Sequence, residues 1–207
     1  SNFGRTGWLS ASKIAELFLK SKMKNSPQKE IKSISMKKSR LKQLEGIYVA
    51  KTLNKTVNLS AVDKSLVLNG RDMLIPESDS IFGIRGWNGK IEIEHLSDST
   101  FLNIINGQKE TYLKAKKWER NDELLKTYEG KYWSDELEMI YSIHINNGEL
   151  VIQNRWLGMV KLQTISEDFF RSNKDYYVKF VRNKEGKIKG LSVNSKRTLN
   201  VYFHRIE

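Results

Sequence analysis

Residues 125–152 read Leu-Lys-Thr-Tyr-Glu-Gly-Lys-Tyr-Trp-Ser-Asp-Glu-Leu-Glu-Met-Ile-Tyr-Ser-Ile-His-Ile-Asn-Asn-Gly-Glu-Leu-Val-Ile. Leu125 and Tyr128 form a short amphipathic lead-in to Gly130, one alternating strand follows through Ile143 and Ile145, and Asn147-Gly148 turns the chain into Leu150-Val151-Ile152. Asn-Gly between two alternating runs predicts a tight hairpin, because both turn residues must accept positive φ. The same series occurs earlier: Leu41, Leu44-Glu45-Gly46-Ile47-Tyr48 and Leu66-Val67-Leu68 each lie 84 residues before their counterparts. A register held over that distance predicts two duplicated units.

The 207 residues then divide into units of roughly 80 to 90 residues, small enough that each must close its sheet efficiently. In the first unit, residues 34–117, strands are expected around Ile47, Val57, Leu66, Met73, Ile81, Ile91, Phe101 and Tyr112, with turns at Asn69-Gly70, Asn88-Gly89 and Asn106-Gly107. In the second, residues 118–207, they continue through Val160, Phe169, Tyr176, Ile188 and Leu199, with a turn at Lys184-Glu185-Gly186. Short strands at even spacing with turn signals predict an antiparallel meander, and closing it into a barrel removes the exposed edges. Gly89-Lys90-Ile91 is aligned with Gly186-Lys187-Ile188, and Thr111-Tyr112-Leu113 with Val201-Tyr202-Phe203. No flexible linker separates the units near Trp118, so the barrels are expected to pack directly together.

Residues 1–33 precede both. Ser10 caps an expected helix to Lys20 that carries Ile14, Leu17 and Phe18 on one face. Lys20 to Lys42 holds nine cationic side chains against the single acid Glu30, a net of +8 within a chain of +12. Such a run suits a solvated linker or a polyanion contact, and the absence of interleaved aromatic residues favours the linker and argues against specific nucleic-acid binding. No cysteine is present, which excludes disulfides and thiolate metal sites. No apolar run is long enough to span a bilayer and no signal peptide is visible.

The opening Leu125…Tyr128-Glu129-Gly130-Lys131-Tyr132-Trp133-Ser134-Asp135-Glu136-Leu137, with Asn147-Gly148-Glu149-Leu150-Val151, Gly186-Lys187-Ile188-Lys189-Gly190-Leu191 and Arg197…Val201-Tyr202-Phe203-His204-Arg205-Ile206, resembles the C-terminal region of β-lactamase-related serine hydrolases. That family includes penicillin-binding-protein-like and D-aminopeptidase-like enzymes. The resemblance implies an all-β chain of two tandem antiparallel, roughly eight-stranded lipocalin-like barrels. Before them, residues 1–33 look like the remnant terminal helix of a catalytic domain plus a basic linker. It further implies a non-catalytic accessory region that packs on the catalytic domain of its own parent protein, with peptide or cell-wall substrate nearby, in the cell envelope or secreted.

The family's chemistry is not found in these residues. Ser-x-x-Lys recurs through one Ser/Lys-rich arm, as at Ser10, Ser21, Ser35 and Ser39. The partner motif is met only by Ser192-Val193-Asn194 inside an expected strand, and no Lys-Ser/Thr-Gly follows. No catalytic residue is therefore assigned, and the chain alone is expected to be no enzyme. His95, His144 and His204 show no ligand spacing, so no metal or cofactor is assigned. Asp135, Glu136 and Glu138 suit a solvated loop better than an acid pair, and Gly83, Gly86 and Gly89 precede no helix that would form a phosphate loop. The assigned binding residues are Arg155 and Trp156, in the loop Asn154–Met159, read either as a cleft-facing contact or as a tryptophan capping the barrel. Two other functions stay open: a stand-alone barrel holding a small ligand inside, and a polyanion-binding module led by the basic arm.

Overall fold

The computed structural model describes residues 33–206 apart from 86, 88, 97, 98, 120 and 157. The helix expected at Ser10, the Ser-x-x-Lys matches at Ser10 and Ser21, most of the basic arm, Asn88 of one turn, Gly86 and Leu157 lie outside the described residues. The chain is all-β, with two closed eight-stranded antiparallel barrels, each preceded by a short helix. Helix α1 (Lys38–Leu44) leads into β1 (Gly46–Ala50), β2 (Thr56–Val62), β3 (Ser65–Leu68), β4 (Asp72–Pro76), β5 (Ile81–Ile84), β6 (Lys90–Leu96), β7 (Ser99–Asn106) and β8 (Gln108–Lys114). Helix α2 (Asp122–Thr127) leads into β9 (Gly130–Ser134), β10 (Met139–Asn146), β11 (Glu149–Asn154), β12 (Gly158–Ser166), β13 (Phe169–Ser172), β14 (Tyr176–Arg182), β15 (Ile188–Ser195) and β16 (Val201–Arg205). Each barrel is an up-and-down meander whose last strand pairs with its first.

The 84-residue register is repeated in atomic detail. The Tyr48 hydroxyl donates to the Leu44 carbonyl at 2.8 Å, and the Tyr132 hydroxyl to the Tyr128 carbonyl at 2.7 Å. Glu45 Oε1 accepts from the Ala61 amide and Glu129 Oε1 from the Ile145 amide, both at 2.8 Å. Each bond ties the end of the short helix to the first hairpin, giving orphan helix-end carbonyls and strand amides a partner. Gly46 and Gly130 sit at φ 142 and φ 147, outside the range L side chains adopt readily, which lets the chain leave the helix directly into a strand.

Four sequence expectations are corrected. The alternating run after Gly130 is not one strand. The turn at residues 135–138 divides it, with Glu138 at φ 47, and Met139 pairs back onto Ser134. Ile91 belongs to the sixth strand of its barrel and Ile188 to the seventh of the other, so those segments are not equivalent. The closing strands match one residue further along than aligned. Tyr48 pairs with Lys114 as Tyr132 pairs with Arg205, which makes Tyr112 the counterpart of Phe203. Both are buried and both point into a core, as they must, since a one-residue slip exchanges the two faces of a strand. The end of the basic run is also helix rather than linker, because Leu41 and Leu44, three residues apart, bury one face of α1 against the first barrel.

Both interiors are occupied by side chains. In the second barrel Tyr128, Phe170 and Phe180 meet with ring centroids 4.5 to 5.6 Å apart, and Tyr132 packs on Phe180. Leu59, Leu66, Leu74, Phe82, Ile91 and Leu102 fill the first. Between the barrels Val49, Phe169 and Tyr177 form a third buried cluster with Leu53, Ala115 and Ile165. On its flank Tyr177 Oη lies 3.1 Å from Thr56 Oγ1, so the barrels pack directly.

Candidate functional site

The assigned pair, Arg155 and Trp156, occupies the tip between β11 and β12. The Asn154 carboxamide oxygen accepts from the Trp156 amide at 2.8 Å, an Asx turn that sets the direction in which the tip points. The Arg155 guanidinium lies 5.2 Å from the indole ring centre, in cation–π range. Trp156 is 79% exposed, which overturns the reading of it as a barrel cap. Asn154 Nδ2 reaches Met139 Sδ at 3.9 Å, setting the tip beside the start of β10. There the outer face is apolar: Ile140 pairs with Trp133, Trp133 with His204, and Leu137 and Ile140 are both exposed. Asp135 ties into this face by accepting from Trp133 Nε1 at 2.8 Å, with His204 Nδ1 3.6 Å away.

One end of the second barrel is fastened by a polar knot that the sequence did not signal. Asp168, in the β12–β13 turn at φ 59, accepts from the Tyr128 hydroxyl at 2.9 Å and from two Arg182 nitrogens at 2.8 and 2.9 Å. Arg182 also donates to the Gly186 carbonyl at 2.8 Å. Burial first, then the Asp168 carboxylate, push the Tyr128 phenol up to about 12. The bond to Asp168 raises Arg182 further above its ordinary range. One carboxylate thus holds a phenol and a guanidinium together, which ties the β12–β13 turn to the end of α2 and to β14.

The remaining candidates stay dispersed. Asp135, Glu136 and Glu138 are exposed in their turn. Ser35, Ser39 and Lys42 are exposed at or before α1, and Asn194 is buried in β15, where it accepts from the Asn200 amide. His95 bonds Thr100 Oγ1 at 2.9 Å and His144 is half-buried. Among the described residues no group of three or more acidic or histidine side chains is placed to hold a metal ion, and no helix is long and apolar enough to cross a membrane. A feature not expected from the sequence is a groove of about 830 Å³ along the join of the two barrels.

Residues 114–205 match the family model described as a domain of unknown function (DUF3471). The matched span starts at the last residue of β8 and ends at the last residue of β16, so it takes in the linker and the whole second barrel. No curated protein matches the chain.

Proposed function

We propose that the chain is the non-catalytic C-terminal accessory region of a β-lactamase-related serine hydrolase, packing on the catalytic domain and shaping access to its cleft. One observation supports this reading: a barrel with a filled interior presents, beside an apolar outer strip, a hairpin tip whose exposed tryptophan is stacked under an arginine. Aromatic and arginine side chains are the types that anchor interfaces. A barrel packed solid offers its surface, not its inside, to whatever it serves. The resemblance of the second barrel's opening and closing segments to that enzyme family supplies the partner.

The test begins with the reading frame upstream of Ser1 and ends with the enzyme it encodes. The expected result is a hydrolase domain whose KM for large substrates changes at least about fivefold in the Arg155→Ala/Trp156→Ala variant. Its turnover of small esters and its melting temperature should stay unchanged. An upstream region without a Ser-x-x-Lys hydrolase, or kinetics indifferent to both side chains, overturns the reading.

A further inference from the structure

The groove between the barrels has a distinct chemical make-up. Its floor is formed by Val49, Leu53, Ala115 and Phe169 of the inter-barrel apolar cluster, together with Trp118 from the linker. Around it stand Lys51, Lys114, Lys116, Lys117 and Lys179, and among the described residues the one acid that lines it is Glu167. These cations come from both barrels and from the segment that joins them.

Their heads are disposed differently. Lys114 Nζ is half-buried, donating to the Gln43 carbonyl at 2.6 Å and lying 6.0 Å from the Tyr48 ring centre. Burial holds that amine below its usual range. Lys179 Nζ lies 3.5 Å from the Glu167 carbonyl oxygen. Lys51, Lys116 and Lys117 are exposed at the rim. A concave, largely apolar floor of this size is suited to small-molecule binding. A rim with five cations and one acid focuses a positive field over it.

From this juxtaposition we infer that the inter-barrel groove binds a small amphipathic anion, an apolar chain ended by a carboxylate, with the chain on Leu53, Trp118 and Phe169 and the carboxylate among the rim lysines. The inference is independent of the accessory reading, because none of its residues belongs to the Arg155–Trp156 tip and it needs no catalytic domain.

The test titrates the isotope-labelled chain with decanoate below its micellar concentration and follows backbone amide shifts. Decanol and decyltrimethylammonium serve as neutral and cationic controls. The expected result is saturable one-to-one binding with shifts centred on Ala115, Trp118 and Phe169. Affinity should fall about tenfold in the Lys117→Gln/Lys179→Gln variant and fall again with added salt. Dispersed amide signals verify that the variant is folded. The inference is overturned by absence of saturation, by shifts centred inside either barrel, or by equal affinity for decanol and decanoate.

Discussion

At the scale of single residues, the tyrosines at the start of each barrel do more than fill space. Tyr48 and Tyr132 are fully buried, yet each hydroxyl meets a carbonyl at the end of the preceding helix. Burial raises both phenols, Tyr132 to about 12, and Tyr128 reaches the same value. The folded chain therefore keeps these protons at pH values where the unfolded chain, with phenols near 10, has lost them. The contribution of these phenols to stability is full below about pH 10 and falls as pH rises toward 12. Alkaline titration should show tyrosinate absorbance rising together with loss of the β-sheet circular dichroism signal. In the Tyr128→Phe/Tyr132→Phe variant the pH dependence should be shallower. Early, non-cooperative tyrosinate absorbance in the folded parent would show that these phenols ionise without unfolding.

At the scale of elements, most strands were legible because their alternation and their Asn-Gly turns are local signals. All eight strand positions expected in the first unit correspond to strands. The acids at 135–138 read as a solvated loop but not as a strand-dividing turn, because Ser-Asp-Glu-Leu-Glu contains no glycine and Glu138 takes the left-handed conformation that Gly or Asn usually supplies. Beyond the first hairpins the repeat was misread at Ile188, where likeness of a turn tripeptide outweighed strand order, which only pairing reveals. The loop that carries Arg155 and Trp156 was legible, but the sequence left open whether the indole caps the barrel or faces outward. The groove lysines were not, since Lys51, Lys117 and Lys179 are far apart in sequence and each alone reads as an ordinary solvated side chain. A prediction at this scale concerns Gly190 in β15. A Cβ there would lie 2.5 Å from the Phe203 carbonyl oxygen and overlap the Tyr202 hydroxyl. The Tyr202 hydroxyl could swing aside, but the Phe203 carbonyl is backbone of the neighbouring strand, so Gly190→Ala should cost about 2 kcal/mol in urea denaturation. A cost below about 0.5 kcal/mol would mean β16 yields freely at that point.

At the scale of the whole molecule, the two barrels share one apolar cluster and a short connection in which the Ala115 amide bonds the Ile47 carbonyl at 2.8 Å. Such a join couples their unfolding. The parent chain should melt in a single calorimetric transition, and Phe169→Ala, which removes a ring that is only 3% exposed at the join, should cost about 3 kcal/mol and divide the transition in two. One transition, merely lowered, would show that Phe169 serves the second barrel alone.

Closure has a consequence for how this molecule can acquire partners. With β8 returning to β1 and β16 to β9, neither barrel has an edge strand among the described residues, so its strands do not recruit a partner by extending the sheet. Whatever the two barrels recognise is then specified by side chains, on their outside or along the join. Such a vocabulary can be rewritten one codon at a time, at Arg155, Trp156 or Lys117, while the scaffold that displays it stays unaltered.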